Sequence, residues 1–513
     1  MPTQRSTSRR ALRGNPTATL VAVSFGLFMV GLDATVVSIA NPAISADLGT
    51  SFAELQWITN SYLLVLAVFL ILGGKIGDRF GRRRTYLTGV AAFAVASLAI
   101  ALVGTTTGVI VFRALQGLSA AMLMPQTIAL LRATFPRERF GMAVGIWGGV
   151  SSVAIAAGPI VAGALVAASG WESVFTINAP IALVAVLFGL VALPESVAPH
   201  AGRFDLAGVV LLALGLFAIV LGIVQAEGWG WGSAATLGTL AAGAVLLVAF
   251  VLVELRVEDP LLPMSLFRTP GFSIGGLAVG ANFFALLGIT FFLSLLLLNF
   301  RGESGLTAGL MLLPMSGVSI VASPIAATVV SRIGIRATMT SGLGMMTVAL
   351  LALTAVTADS PYLLMAIPFV VLAFGVGFTM TAGAEAIVGS APVRYAGVAG
   401  GFQSTALQLG GALGTAVLSA VVAARVAAGT VGLGLTDAAR QELVQGIVPS
   451  GLDAAGTTAA ADAFLSGFHL AAGTAGAVTL VVGILAATFL RERRRPTPAV
   501  VLEETVEGLA GHV

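Results

Sequence analysis

The sequence predicts an all-α integral membrane protein with fourteen transmembrane helices, arranged as two pseudo-symmetric six-helix bundles with two inserted helices between them. Three observations predict this fold: the apolar composition, the recurrence of span-length apolar stretches, and the placement of the basic residues. Hydrophobic residues make up 57% of the 513 residues and charged residues only 10%. Soluble domains do not have this composition.

The apolar stretches give the number of helices. A helix that crosses a hydrocarbon core of about 30 Å needs roughly 20 mainly apolar residues. The 63 glycines agree with a membrane protein, because small residues let helices pack closely in lipid. Stretches of sufficient length lie at 17–42, 55–74, 85–103, 107–131, 140–168, 173–193, 205–225, 233–253, 271–299, 305–330, 337–357, 362–388, 395–424 and 464–489.

The basic residues give the orientation, since cytoplasmic loops of membrane proteins are enriched in Lys and Arg. With a cytoplasmic N-terminus, the inner segments hold all of the 26 basic residues except Arg113, Arg301, Arg425 and Arg440. We therefore expect an even number of spans with both termini cytoplasmic. The basic residues are scattered over the inner loops, so they form no patch for nucleic acid.

An internal repeat divides the chain. Arg79, Gly81 and Arg83 follow the second span, and the same spacing recurs after the tenth span as Arg332, Gly334 and Arg336. Duplicated halves with a site near the midplane are a common transporter architecture. The predicted domains are a cytoplasmic tail at 1–16, an N-terminal bundle at 17–193, two inserted helices at 205–253, a C-terminal bundle at 271–489 with an extracellular loop at 425–463, and a second cytoplasmic tail at 490–513.

Several motifs, in the same order along the chain, resemble those of the major facilitator superfamily and specifically its fourteen-span drug:proton antiporter branch. The loop from Gly74 to Arg84 resembles the superfamily's inner-loop signature, and Arg113 to Gly117 resembles its fourth-span motif. The other matches are Leu32 to Val37 with Asn41 and Pro42 in the first span, Gly149 with Gly158 to Gly163 in the fifth, and Trp171 to Phe175 with Asn178 and Pro180 at the start of the sixth. Asn41, Ala162 and Glu172 depart from the usual Leu, Gly and Arg.

Three charged residues within spans are candidates for proton coupling: Asp33, Arg113 and Glu385. A carboxylate at mid-span costs about 2.5–3.5 kcal/mol on insertion scales. Because low polarity disfavours its ionised form, Asp33 is expected to exchange a proton and to compete with a cationic substrate for one site. A structural acid bonded to a neighbouring helix is the alternative. Arg113 is either linked to proton handling, as the resemblance implies, or a structural anchor. Glu385 lies near the inner end of span twelve and is either a coupling residue or in contact with cytoplasmic water.

Two further groups of residues are predicted to serve conformational change. The first group comprises Gly74, Asp78, Arg79, Gly81, Arg82 and Arg83. The resemblance implies that the charges of this group form a network that latches the outward-facing state. The alternative is that these residues only set the topology. The second is the exporter motif Gly149, Gly158, Pro159 and Gly163, whose small residues let span five bend and pack closely. Ordinary helix packing is the alternative there.

A substrate cavity is predicted from polar and aromatic residues within spans: Trp57, Asn60, Tyr62, Gln126, Asn282, Phe283, Phe284, Gln403 and Gln408. With few intramembrane carboxylates, such a cavity suits hydrophobic neutral or monocationic molecules. We therefore expect proton-driven efflux of drugs, antibiotics or toxic metabolites by alternating access, carried out by a monomer in a bacterial inner (plasma) membrane.

Other functions are less consistent with the sequence. A proton-coupled importer of a small metabolite is the main alternative, and the direction of flux distinguishes it. A membrane enzyme would need a nucleophile with a base, or a metal cluster, whereas the chain has no cysteine and only three histidines. No metal or cofactor is expected, and the absence of a Walker-type G-x-x-x-x-G-K-[ST] sequence excludes ATP hydrolysis by this chain. A passive receptor would not explain charged residues within duplicated halves.

Overall fold

The computed structural model describes residues 12–50, 52–197, 205–303, 305–357 and 360–490. The predicted tails, 1–16 and 490–513, lie outside these ranges except for residues 12–16 and 490. The first half of the chain forms α1 (Pro16–Leu48), α2 (Phe52–Phe80), α3 (Arg82–Leu102), α4 (Thr106–Thr134), α5 (Arg137–Ser169), the one-turn α6 (Ser173–Thr176) and α7 (Asn178–Ala192).

The rest of the chain continues with the two inserted helices and a second bundle. The inserted helices are α8 (Leu206–Trp229) and α9 (Ala234–Glu254), and α8 contacts both α2 and α13. The second bundle contains α10 (Pro270–Leu295) with a π-helical end at Leu296–Phe300, α11 (Gly305–Leu353), α12 (Tyr362–Ser390), α13 (Ala396–Gly429), the short α14 (Asp437–Val444) and α15 (Ala454–Phe489).

Polar side chains fix where several helices begin. The side chain of Asn15 accepts a hydrogen bond from the backbone N–H of Ala18, and Asp453 accepts one from Gly456. Such caps satisfy backbone donors that have no partner inside the helix. The Asp453 cap starts α15 at Ala454, earlier than the predicted start at 464. The connection predicted at 425–463 is therefore shorter, from Thr430 to Asp453, and contains α14.

Twelve helices of the described chain are long and apolar enough to cross a membrane, and thirteen if α5, which bends by 41°, counts as one span. The difference from the predicted fourteen lies in α11, which contains both predicted spans 305–330 and 337–357. Its backbone leaves helical geometry at Gly334, with φ 88°. Gly81, between α2 and α3, has φ 109°. Both glycines thus adopt the left-handed region that other residues avoid, in agreement with the internal repeat.

The hydrophobic core shows how the bundles meet. We call the end of the molecule that carries the α2–α3 turn at Gly81 the basic-loop end, and the opposite end the far end. One core cluster at the basic-loop end contains residues of both bundles, such as Leu70 of α2 and Val398 of α13. At the far end one cluster contains only residues of the first bundle, and another only residues of the second. The bundles are therefore joined at the basic-loop end.

Candidate functional site: a buried ion pair and an interbundle gate

A buried ion pair joins α1 to α4. Arg113 Nη1 donates to Asp33 Oδ2 at 2.6 Å, and the two side chains are 1% and 0% exposed. The Arg113 Nε also donates to the carbonyl oxygen of Ile58 at 3.2 Å. Removing one partner of such a pair leaves an uncompensated charge in a dry site, at a cost of about 3–5 kcal/mol. A proton that neutralises Asp33 would therefore have a large effect on Arg113.

Three neutral polar side chains surround the pair. Asn178 donates through Nδ2 to Asp33 Oδ1 at 3.1 Å, and Gln116 Oε1 accepts from Arg113 Nη1 at 2.9 Å. Gln116 Nε2 donates to Ser97 Oγ at 2.6 Å. The shell thus comes from α3, α4 and α7, and it leaves Asp33 no exposed surface. Gln116 and Asn178 lie within the fourth- and sixth-span motifs, but sequence reasoning did not place them, or Ser97, at a site. What distinguishes these three residues in the sequence is that they are polar and lie inside apolar spans.

The predicted cavity residues divide into two groups. Tyr62 lies against Arg113, Gln126 donates through Nε2 to the Gly73 carbonyl oxygen at 2.8 Å, and Asn282 donates to the Val376 carbonyl oxygen at 3.2 Å. These three and Gln403 are buried, in positions typical of helix packing. The other five are half-buried and remain candidates for a path through the protein: Trp57, Asn60, Phe283, Phe284 and Gln408.

We call the contact between the end of α2 and the first turn of α13 the gate. It is centred on Asp78, at the end of α2. Its Oδ1 accepts from Arg82 Nη2 at 2.8 Å and from the backbone N–H of Gly397 at 3.1 Å, and its Oδ2 accepts from the N–H of Val398 at 3.2 Å. Gly397 and Val398 form the first turn of α13, where backbone donors are free and the helix dipole favours negative charge. One carboxylate therefore caps a helix of the other bundle.

Glycines allow the helix backbones to approach each other at this gate. A Cβ on Gly74 would overlap the carbonyl oxygen of Gly397, and a Cβ on Gly401 would lie 2.7 Å from the carbonyl oxygen of Leu70. Any side chain at these positions would force α2 and α13 apart, so the gate closes only because these residues are glycines.

The other predicted latch residues hold the start of α3. Arg82 Nη1 donates to Ser196 Oγ at 3.1 Å, and the N–H of Arg83 donates to Glu195 Oε1 at 3.2 Å. The guanidinium of Arg79 lies 5.6 Å from the ring centroid of its neighbour Phe80. Arg82 thus connects the gate to the segment after α7. Sequence reasoning missed Glu195 and Ser196, which follow the sixth span as isolated polar residues.

Glu385 and the exporter motif lie where α5 meets its neighbours. Glu385 of α12 is half-buried, and a Cβ on Gly141 of α5 would lie 2.7 Å from its Oε2. Gly149 is buried, a Cβ on Gly158 would overlap Thr35 of α1, and nothing lies within 4 Å of one on Gly163. The bend of α5 falls between Ile155 and Ile160, the segment that contains Gly158 and Pro159. The motif therefore combines a bend with one close helix contact.

No group of three or more His, Cys, Asp or Glu residues that could hold a metal ion is present in the part of the chain that the structure describes. The helices are apolar and span-length, the two bundles meet at a gate, and a charged pair is buried within one bundle. Together these features are typical of a multi-pass membrane transporter.

Comparisons with known proteins identify the family. The family model of the Major Facilitator Superfamily matches residues 23–415, and the chain belongs to that superfamily. The Tetracenomycin C resistance and export protein of Streptomyces glaucescens is 43% identical over 498 residues, which cover 94% of this chain and 93% of the relative. The Multidrug resistance protein Stp of Mycobacterium tuberculosis is 33% identical over 411 residues, covering 80% and 76%. The resemblance to the drug-efflux branch is thereby confirmed.

The fold agrees with a solved structure. The human organic anion transporter MFSD10 superposes with a TM-score of 0.64 at 14% identity, covering 92% of this chain and 99% of that one. At this identity the likeness shows the fold alone.

Proposed function

We propose that this protein exports hydrophobic or monocationic small molecules, antibiotics among them, across a bacterial inner membrane in exchange for protons. The observation that carries the proposal is the pair of Asp33 and Arg113, buried within one bundle of a two-bundle transporter. Intramembrane ionisable residues are expensive and are typical of proton pathways. The names of relatives, which refer to resistance, export and Tetracenomycin C, support the direction and the substrate class.

The transmembrane topology completes the proposal. α11 has 49 residues, which is roughly 74 Å at about 1.5 Å per residue and more than twice the hydrocarbon thickness. Its break at Gly334 lies between Arg332 and Arg336, as expected for a cytoplasmic turn. We count α11 as two spans and the bent α5 as one, which gives fourteen spans with both termini cytoplasmic. The basic-loop end is then cytoplasmic, and the joined bundles correspond to an outward-facing state.

The geometry changes one part of the sequence-based hypothesis. Asp33 is 0% exposed and bonded to Arg113 and Asn178, so a substrate does not reach it in this conformation. We therefore propose that proton and substrate act at separate sites. Protonation of Asp33 from the far end removes the negative charge beside Arg113, and the loss of this ion pair between α1 and α4 transmits the change to the bundle interface. Glu385, at the contact of α5 with α12, is the second carboxylate of this pathway.

The test is proton-driven export from proteoliposomes, with ethidium as a fluorescent monocation and tetracenomycin C as the second probe. An imposed pH gradient should drive both probes out of the compartment that corresponds to the cytoplasm, and a protonophore should stop the flux. Asp33→Asn should abolish gradient-driven flux. Asp47→Asn is the matched control, because Asp47 lies exposed at the far end of the same helix. Among the hydrogen bonds described, its carboxylate accepts only one, from Trp171 Nε1 at 3.0 Å. Unchanged flux in Asp33→Asn would refute the role of Asp33, and inward flux would favour an importer.

A further inference from the structure

The ring of Tyr62 contacts the guanidinium of Arg113. Tyr62 lies on α2 and is 1% exposed, and its ring centroid is 4.3 Å from Arg113 Cζ. An aromatic face attracts a cation through its quadrupole, and the attraction is strongest where water is excluded. Besides its hydrogen bonds to the Ile58 carbonyl oxygen and Gln116 Oε1, Arg113 therefore has two further partners: the carboxylate of Asp33, which a proton can neutralise, and the face of Tyr62, which it cannot.

Neighbouring residues fix the position of this ring. Gly117 follows Arg113 by one helical turn, and a Cβ at Gly117 would overlap the carbonyl oxygen of Tyr62. The α4 backbone therefore packs directly on the α2 backbone at Tyr62. On another side, Phe93 of α3 meets the ring edge to face, with centroids 6.5 Å apart and planes at 85°. The ring is held against Arg113 from both neighbouring helices.

The phenolic hydroxyl does not explain why the residue lies there. Tyr62 Oη is buried and has no hydrogen-bond partner among the described residues. A buried hydroxyl without a partner is unfavourable, so the useful part of the side chain is the ring. Phenylalanine at position 62 separates the role of the ring from that of the hydroxyl, because it keeps the ring and removes only the hydroxyl.

We propose that Tyr62 is a positioning residue that holds Arg113 in place while Asp33 is protonated, and that it thereby sets the pH at which Asp33 exchanges its proton. The inference rests on the proposed function, in which Asp33 is the proton site. When Asp33 is ionised, its charge stabilises Arg113 and the ring contributes little. When Asp33 is neutral, the guanidinium keeps its charge in a dry site, where its remaining partners are the ring, the Ile58 carbonyl oxygen and Gln116 Oε1. Loss of the ring therefore makes protonation harder and moves it to lower pH.

Few other groups can contribute to this titration. Among the described residues that face the pair, α3 and α7 present the neutral side chains of Ser97 and Asn178, and α4 adds Gln116. α5 packs on α1 beside the pair through Ala154 and Gly158, which are uncharged. Tyr62 is itself titratable, but its hydroxyl does not enter the proposal, because the ring is what faces Arg113.

The experiment measures protonation of Asp33 without any substrate. Infrared difference spectra of the purified full-length protein in lipid nanodiscs are recorded as a function of pH, and the protonated carboxyl band that disappears in Asp33→Asn is assigned to Asp33. We compare Tyr62→Phe, Tyr62→Leu and Tyr62→Met with wild type. Phe369→Leu is the matched control, because it removes a fully buried ring from the core of the other bundle. A monodisperse elution profile verifies folding, and the Met variant serves where the Leu variant does not fold.

The expected midpoint of the Asp33 titration is unchanged in Tyr62→Phe and Phe369→Leu, and lower by about one pH unit in Tyr62→Leu and Tyr62→Met. An unchanged midpoint in the Leu or Met variant overturns the role of the ring. An equal shift in Tyr62→Phe assigns the effect to the hydroxyl and also overturns the proposal. Absence of any titrating band assigned to Asp33 refutes Asp33 as the proton site, which is a failure of the proposed function and is distinguishable from the other outcomes.

Discussion

The carboxylate of Asp78 accepts hydrogen bonds from the backbone N–H groups of Gly397 and Val398 at 3.1 and 3.2 Å, although 319 residues separate Asp78 from Gly397 in the chain. This contact joins the two bundles at the basic-loop end. Arg82 balances the charge of Asp78 at 2.8 Å, and the side chains of Arg82 and Asp78 are 2% and 5% exposed. The closed gate therefore depends on a charge that is buried and shared between both halves of the transporter.

Asp78→Asn should open this gate. The substitution keeps the shape of the side chain but removes the charge, which leaves Arg82 without its anion and weakens the cap on α13. Breaking such a pair costs about 3–5 kcal/mol, enough to shift a two-state equilibrium by more than 100-fold. We expect export to be lost while membrane insertion stays normal. Because the chain has no cysteine, a cysteine placed at Ala399, which is 0% exposed, reports opening through its reaction with a maleimide.

Asp47→Asn again serves as the control for Asp78→Asn, since it removes an exposed carboxylate at the far end. It should leave both the labelling of the cysteine at 399 and export at wild-type levels. Slow labelling and normal export in Asp78→Asn would contradict the assignment of Asp78 as the latch.

A second prediction concerns the close approach of helix backbones at the gate. In Gly401→Ala the new Cβ would lie 2.7 Å from the Leu70 carbonyl oxygen, so α2 and α13 must separate. Overpacking of this kind typically costs 1–3 kcal/mol. We expect faster labelling of the cysteine at 399 and an export rate reduced about tenfold. Gly163→Ala is the matched control, because nothing lies within 4 Å of its new Cβ. Equal effects of the two variants would show that space at the gate is not the cause.

A third prediction tests the exporter motif. In Gly158→Ala the new methyl group would overlap Thr35 Oγ1, which donates to the Leu32 carbonyl oxygen at 3.1 Å. The clash displaces α1 close to Asp33, so export should fall by roughly tenfold, consistent with an overpacking cost of 1–3 kcal/mol. The double variant with Thr35→Ala should recover part of the rate, because the two residues are in contact and their effects are not additive. Strictly additive effects in the export assay would argue against this contact.

Much of this architecture could be predicted from the sequence. Long apolar stretches predict helices directly, and the recurrence of Arg-x-Gly-x-Arg predicted an internal repeat, with which the left-handed backbone at both Gly81 and Gly334 agrees. Asp33 and Arg113 stood out because charge within a span is costly, and Asp78 stood out through the inner-loop motif. The count of fourteen was not confirmed by helix length and composition alone, because α11 joins two predicted spans through a single residue.

The partners of these charged residues could not be predicted. Two partners of Asp78 are the backbone N–H groups of Gly397 and Val398. These groups carry no side-chain signal in the sequence, and they meet Asp78 only when the bundles pack. Tyr62 was predicted to line a cavity, because an aromatic residue within a span gives no indication of which neighbour it faces. Its contact with Arg113 depends on the rotation of α2 relative to α4, which tertiary packing decides.

The fourth prediction assigns a role to the inserted helices. The carboxylate of Glu254, at the end of α9, accepts from the N–H groups of Leu261 and Leu262 at 3.1 Å each, and both leucines are buried in the core shared by the bundles. The loop formed in this way places the carbonyl oxygen of Pro260 2.9 Å from Lys75 Nζ. Lys75 precedes Asp78 by about one helical turn and is 7% exposed. The inserted helices thus hold a loop against α2, the helix that carries Asp78.

Lys75→Met should therefore weaken the gate, although Lys75 is not one of the predicted latch residues. Methionine keeps an apolar, unbranched side chain but cannot donate to Pro260, and a hydrogen bond from a charged group contributes about 1.5–3 kcal/mol. We expect faster labelling of the cysteine at 399 and a several-fold lower export rate. Lys75→Arg keeps a charged donor and should retain most of the activity. If the inserted helices only fill space beside the bundles, Lys75→Met and Lys75→Arg will both behave like wild type, because the buried leucines would hold the loop without the ammonium group.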